Sequence, residues 1–249
     1  MQLKRILYLI IEKLLSRSTD RIVCISEAEQ QTALREKICK KDKLCLIPNG
    51  IDIKQVLDAP PVSRESIGFN NSAFIVGMIG RLSRQKAPDV FIRTAEIINK
   101  AIPTTAFIIV GDGEERVKTE MYAREHNISL HVTGWVDNPY SYLKIFDVSV
   151  LLSRWEGFGL AITEYMAARK PIVATRIDAI PTLIEDGEDG LLVNVDSPID
   201  AAEKVLFIYD HKDIALKMTE KAFEKVSLKY DISRVAEQHC RLFDSLMVD

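Results

Sequence analysis

Two glutamates, Glu156 and Glu164, stand eight positions apart around the run Gly157-Phe158-Gly159-Leu160. The apolar run Val148-Ser149-Val150-Leu151-Leu152 ahead of them reads as a buried strand, and residues 160–169 read as a helix. A Gly-x-Gly between a strand end and a helix start leaves backbone N–H groups free at the positive end of that helix. Such a place suits a phosphate. Glu156 falls at the helix mouth, and Glu164 lies two turns in on a similar face. Acids at both ends of a phosphate cradle can hold hydroxyl-rich groups on either side of a diphosphate. A nucleotide-sugar has that shape: ribose, diphosphate, sugar.

A second loop, Gly80-Arg81-Leu82-Ser83-Arg84-Gln85-Lys86, also follows a strand and opens a helix. Arg81 and Lys86 can neutralise a diphosphate and stabilise it as a leaving group. Taken alone the loop reads as solvated and basic; beside the Glu156 loop on one sheet edge it reads as functional. Gly111-Asp112-Gly113-Glu114 lacks the third glycine of a dinucleotide fingerprint and reads as a tight turn near the site. At Thr133-Gly134-Trp135-Val136 two readings stand open: an exposed backbone beside an aromatic that holds a flat base, or a Trp135 that packs on a helix. Trp155 and Phe158 read as wedges holding the central loop. The acidic run 185–190 reads as a solvated hairpin, and with no Asp-x-Asp in the chain no metal–diphosphate site is expected. His126, His131, His211 and His239 form no triad or ligand spacing.

These loops need a scaffold, and the hydrophobic pattern supplies one. Residues 73–80, 105–110, 129–133, 147–152, 171–175 and 190–193 read as strands. Residues 87–100, 114–126 and 140–144 read as helices, a short helix precedes 190, and helices run from about 197 onward. The alternation predicts an α/β fold, a Rossmann-like parallel sheet with helices on both faces. Ligands bind at the carboxyl ends of such strands, where every glycine-bearing loop above lies. Residues 1–48 read helix, strand, helix, strand, with Ser26 as an N-cap ahead of Glu27 and Glu29. Pro48-Asn49-Gly50 breaks the chain, and a polar stretch with Pro60 and Pro61 follows to about residue 71. The chain thus divides into 1–48, a small α/β unit, and 49–249, the main domain.

Composition narrows the classes. Of 249 residues 47% are hydrophobic and 28% charged, as in ordinary globular proteins. The net charge of −3 gives no support to a nucleic-acid partner. Cys24, Cys39, Cys45 and Cys240 form no Cys-x-x-Cys pair, which predicts reduced, mostly buried thiols in a cytoplasmic protein and no zinc. The apolar run near residue 1 is short and meets Glu12-Lys13 without a small-residue cleavage site, so neither a signal peptide nor a membrane span is expected. That helix is expected to pack on protein. The rival reading rests it peripherally on the inner face of a membrane through Lys4, Arg5, Lys13, Arg17 and Arg21.

In order along the chain, Ile47-Pro48-Asn49-Gly50-Ile51-Asp52, Gly80-Arg81 with Gln85-Lys86, Gly111-Asp112-Gly113, Gly134-Trp135 and Glu156-Gly157-Phe158-Gly159-Leu160 through Glu164 resemble a family-4-type glycosyltransferase of GT-B, two-Rossmann architecture. The resemblance continues through Pro171-Ile172-Val173-Ala174-Thr175 and on through residues 187–193. It implies that Arg81 and Lys86 bind the donor diphosphate and that Glu156 contacts the donor sugar. The amides around Gly157, Phe158 and Gly159 would hold sugar and phosphate, with Gly80 and Leu160 at the same loop ends. Glu164 would bond the ribose hydroxyls, and the backbone of Gly134, Trp135 and Val136 would border the base. The resemblance further implies a retaining, metal-independent reaction with no cofactor. The substrates would be a nucleotide-diphospho-sugar donor and a saccharide or lipid-linked acceptor in polysaccharide or glycolipid synthesis.

Two departures bear on this. Arg169 stands where many relatives have a glycine, and Ile177-Asp178-Ala179-Ile180-Pro181 replaces a Gly-Gly turn, which leaves donor preference open. Relatives also carry a complete N-terminal Rossmann domain, of which residues 3–47 resemble only the tail. The segment from about 232 to 246 resembles the helix that closes back onto it. The chain then reads as a fragment, a truncated product or half of a split enzyme, with a partner chain or self-association covering apolar faces. Two rivals remain: a non-catalytic docking subunit, and a nucleotide-sugar epimerase of GT-B architecture, for which the histidines are badly placed.

Overall fold

The computed structural model describes the backbone of residues 2–247 and the side chains of residues 6–247. The chain runs α1 (Gln2–Leu15), β1 (Ile22–Cys24), α2 (Glu27–Arg35), β2 (Leu44–Leu46), α3 (Ile53–Asp58) and β3 (Ile75–Ile79). It continues with α4 (Pro88–Ala101), β4 (Ala106–Val110), α5 (Arg116–Glu125), β5 (Leu130–Val132), α6 (Tyr140–Leu143), β6 (Val148–Leu151) and α7 (Leu160–Ala167). Then follow β7 (Ile172–Thr175), α8 (Ile180–Leu183), β8 (Leu191–Val193), α9 (Pro198–Asp210), α10 (Lys212–Lys229) and α11 (Ile232–Met247).

Six strands form one parallel sheet in the order β5-β4-β3-β6-β7-β8. The apolar strands divide their side chains between two cores with period two. Ile75, Ala106, Ile108, Leu151, Ile172 and Leu192 face the core shared with α7 and α8. Val76, Met78, Phe107, Ile109, Val150 and Val173 face the core shared with α4 and α9. This is the burial on both faces that the near-continuous apolar strands demand.

From β3 the chain winds outward to β5, then returns to β6 and winds the other way. The switch point lies between β3 and β6, where such sheets open a crevice. These two strands pair only at Val76–Val148 and Gly77–Ser149 and then diverge. Past the divergence the buried Tyr165 hydroxyl of α7 takes over the ladder: it accepts from Ile79 N–H (2.8 Å) and lies 3.3 Å from Val150 C=O. Backbone groups that a closed ladder would pair are satisfied there by a side chain, as buried groups must be.

Gly77, in the middle of β3, faces the Phe146 ring and has no room for a side chain. A Cβ there would lie 2.2 Å from the buried Phe146 ring. Gly77→Ala is expected to lower stability by about 1–3 kcal/mol through overpacking, read as a shifted urea midpoint at unchanged slope.

β1 and β2 form a separate two-stranded parallel sheet bridged by α2. Ser26 caps α2 by accepting from Glu29 N–H (3.1 Å), as the sequence predicts. The linker beyond meets the start of α11: Ile51 N–H donates to Tyr230 C=O (2.8 Å), and Ile232 N–H donates to Ile51 C=O (3.0 Å).

Several expectations need correction. The polar stretch after Gly50 contains α3, capped by Asp52, which accepts from Gln55 N–H (2.9 Å) and lets Ile53 and Val56 be buried. The thiols are not mostly buried: Cys24 is, Cys39 and Cys45 are half-buried and Cys240 is exposed. The 185–190 turn is no solvated hairpin. Asp189 is buried, pairs with Lys225 and accepts from Glu185 N–H (2.8 Å), while Asp186 pairs with Arg176 and Glu188 with Lys221. Of the described apolar side chains of α1 only Leu9 is half-buried, while Ile6, Leu7, Tyr8, Ile10, Ile11, Leu14 and Leu15 are 41–65% exposed. Lys4 and Arg5, invoked for a membrane face, lie outside the described side chains. Among the described residues no helix is long and apolar enough to cross a membrane.

Candidate functional site

The loops after β3 and β4 are joined through their backbones. Gly80 N–H donates to Val110 C=O (3.0 Å), Leu82 N–H to Asp112 C=O (3.0 Å), and Glu115 N–H back to Leu82 C=O (2.9 Å). Gly111 must be glycine for this approach. A Cβ there would stand 2.2 Å from Gly80 O, and its φ of +144° is one that side chains resist. Gly111 N–H in turn donates to the Thr133 hydroxyl (3.2 Å), and Gly111 and Gly134 bridge, which draws the loop after β5 alongside.

The three loops enclose a cavity of about 690 Å³. Gly80, Arg81, Gly111, Asp112, Gly113, Trp135, Val136 and Pro139 line it, with Ile79 and Val110 at its base. Trp135 is 85% exposed at the rim, so the packing alternative for this residue fails. The Gly111 turn, expected as a tight turn, forms part of this cavity wall.

The Glu156 loop leaves the neighbouring strand across the switch point. Glu156 is buried, with its carboxylate on Lys86 Nζ and accepting from the Ser153 hydroxyl (2.7 Å). The acid of one predicted loop and the cation of the other are therefore direct partners. Asp178 anchors the backbone by accepting from Glu156 N–H (2.9 Å). Gly159 turns the chain into α7 with φ +97°, a conformation glycine adopts without penalty. The wedge reading holds for Phe158, which is buried edge-on against Tyr230, and fails for Trp155, which is 49% exposed. Leu160, the first residue of α7, is also 49% exposed at the loop end. Gly157 C=O accepts from the Ser26 hydroxyl (3.0 Å), so the small β1–β2 unit touches this loop.

Arg81 points outward, its guanidinium 3.2 Å from Glu114 and its side chain 74% exposed. Glu164 lies half-buried on α7, with the Tyr140 hydroxyl 3.3 Å from its carboxylate. Burial pushes the Glu164 carboxyl up to about 7, with the Tyr140 hydrogen bond and the Lys86 charge pulling the other way. Lys86 thus acts electrostatically on both glutamates. Among the described residues no group of His, Cys, Asp and Glu could hold a metal ion.

Sequence reasoning gave no site role to Ser26, read only as a cap, or to Tyr140, Ser153 and Arg154, and marked Asp178 only as part of the loop that bears on donor preference. Each is a common polar residue with no spacing of its own, brought to the site only by the crossings of the chain. Proximity to Glu156 was the one available signal, and it pointed to Ser153 and Arg154 alone.

Residues 61–225 match the family Glycosyl transferases group 1, and residues 1–55 match Glycosyltransferase Family 4. The UDP-Gal:alpha-D-GlcNAc-diphosphoundecaprenol alpha-1,3-galactosyltransferase of Escherichia coli is 30% identical over 81% of this chain and 55% of its own length. The poly(ribitol-phosphate) alpha-N-acetylglucosaminyltransferase of Staphylococcus aureus is 31% identical over 69% of this chain and 35% of its own. The chain thus spans about half the length, or less, of these curated relatives. A crystal structure of Anabaena Alr3699/HepE in complex with UDP superposes with a TM-score of 0.84 at 21% identity, over 93% of this chain and 65% of that one, a likeness of fold. The fold matches one Rossmann-like domain of GT-B glycosyltransferases, and the chain belongs to the glycosyl transferases group 1 family.

Proposed function

We propose that this chain is the donor-binding half of a retaining, metal-independent glycosyltransferase that uses a nucleotide-diphospho-sugar. The carrying observation is the meeting of two strand-end loops across the switch point, where Lys86 pairs with Glu156 while its stem lies beside Gly80 of the cavity wall. The cavity of about 690 Å³ has room for a nucleotide, and Glu164 follows within the helix that the Glu156 loop opens. The named donor of the Escherichia coli relative and the UDP held by HepE fit this reading.

In this reading the base lies against the 134–136 backbone, and Glu164 accepts from the ribose hydroxyls. The diphosphate meets Arg81, Lys86 and the N–H groups around Gly157, Phe158 and Gly159. Before donor binds, Lys86 is neutralised by Glu156. The diphosphate competes for Lys86, and the Glu156 carboxylate is then released toward a donor-sugar hydroxyl. The anomeric C–O bond to the β-phosphate breaks as the acceptor oxygen joins the same carbon from the same face, and the acceptor proton passes to the leaving phosphate. Arg81 and Lys86 stabilise the negative charge that develops there. No cofactor takes part. A saccharide or lipid-linked acceptor of polysaccharide or glycolipid synthesis approaches from the side of the β1–β2 unit.

Calorimetric titration with UDP, GDP, ADP and their sugar conjugates tests the assignment. One nucleoside diphosphate should bind selectively. Arg81→Ala should weaken it about tenfold or more, the size of a lost charged hydrogen bond. Because the Arg81–Glu114 pair is exposed, stability should change by less than about 0.5 kcal/mol. Absence of binding by all three nucleotides would refute the donor-site assignment.

A further inference from the structure

Arg154, next to the exposed Trp155 and outside the cavity lining, has the most densely bonded side chain near the site. Its Nη1 and Nη2 donate to the two carboxylate oxygens of Asp89 (3.1 and 2.7 Å), in the first turn of α4. Nε donates to Asp196 (2.7 Å), in the turn between β8 and α9, and Nη1 also reaches Arg84 C=O (2.9 Å). The side chain is 19% exposed. The adjacent backbones are joined as well: Arg154 N–H donates to Gln85 C=O (2.8 Å), and the Gln85 side chain donates to Trp155 C=O (2.9 Å). This forked, two-oxygen pairing fixes orientation as well as distance. Asp89 reports the contact. Burial raises its carboxyl, yet the Arg154 hydrogen bonds and charge hold it below the usual range.

Three strand-end loops therefore converge on one side chain. Two of them carry Lys86 and Glu156. β3 and β6 diverge before reaching these loops, so the sheet ladder does not set their separation. We infer that Arg154 is a positioning residue that sets the distance between the Lys86 loop and the Glu156 loop, and so the fit of a donor diphosphate, without touching the donor. The base cavity is held by a different set of bonds, those joining the loops after β3, β4 and β5. Removing Arg154 should then act on the diphosphate and leave the nucleoside end alone.

The inference rests on the donor-site reading, and its test separates the two. The mono- and diphosphates of uridine, guanosine and adenosine are titrated against wild type, Arg154→Ala and Arg154→Lys. For the base that binds, Arg154→Ala should lose about tenfold or more in diphosphate affinity, as expected for displaced binding groups. Monophosphate affinity should stay within about twofold, the set of bonds around the base being intact. Arg154→Lys, which keeps the charge without the fork, should fall between. Equal loss for both nucleotides would mark a general structural role and overturn the inference, as would no loss. Amide hydrogen exchange reads the latch without ligand. Faster exchange confined to the 84–86 and 153–156 backbones in Arg154→Ala supports it, and unchanged exchange overturns it even if no nucleotide binds to wild type.

Discussion

Lys86→Met is expected to destabilise the protein by about 3–5 kcal/mol, the cost of stranding a buried charge after its partner is removed. The Glu156 side chain is 6% exposed, and without Lys86 its carboxylate keeps only the Ser153 hydroxyl. For a chain of this size the melting temperature should fall by roughly 10 °C. The double variant Lys86→Met/Glu156→Gln removes the charge along with its partner and should recover most of that loss, since a neutral pair of similar volume replaces an ion pair at little net cost. It should recover none of the diphosphate binding. Stability would thus return while function does not, which separates the structural role of the pair from its role toward donor. If the double variant remains as unstable as the single one, the loss comes from packing of the lysine stem and not from the stranded carboxylate.

Glu164 should give the protein two opposite pH dependences. Its folded-state pKa is raised to about 7 from an ordinary value of 4.5, with burial the leading cause. The folded state therefore holds this proton more tightly than the unfolded chain. Its contribution to stability is full below about pH 4.5 and is lost as pH rises through 7, by on the order of 2–3 kcal/mol. In the proposed donor site the ribose hydroxyls would donate to the ionised carboxylate, so donor binding should instead strengthen as pH rises through 7, with release of a proton below that value. Glu164→Gln should flatten the urea-denaturation profile between pH 5 and 8 and be more stable than wild type at pH 8. It should also remove the pH dependence of nucleotide binding and weaken binding at pH 8 by about ten- to a hundredfold. A wild-type stability that does not fall over this window would show that the Glu164 carboxyl is not raised by burial.

Local features of the fold follow from sequence because local physics sets them. Near-continuous apolar runs such as 105–110 and 147–152 made strands, Ser26 made a cap, glycines at 80, 111 and 134 marked strand ends, and Gly159 marked a helix start. The acids and cations of the candidate site were readable for the same reason: Glu156, Glu164, Arg81 and Lys86 each sit beside a glycine-bearing turn or on the helix it opens. The polar stretch that hides α3 was not readable, because its helix is one short turn-rich piece stabilised by a cap and by burial of Ile53 and Val56. Nor was the 185–190 turn, where four acidic residues look solvated until the distant Arg176, Lys221 and Lys225 arrive beside them.

The sequence alone determined the α/β class, the loops at the strand ends and the chemical types gathered there, since each depends on contacts within a few residues. Only the tertiary structure decided their partners. It put β3 beside β6, so that Lys86 found Glu156 across 70 positions of chain, and it parted those strands, so that Tyr165 and Arg154 had to hold what the ladder did not. Burial, which raises the Glu164 carboxyl to about 7, is likewise a property of the packed molecule. Charge pairing and desolvation act through space, and the order of strands in a sheet is not written in any one segment.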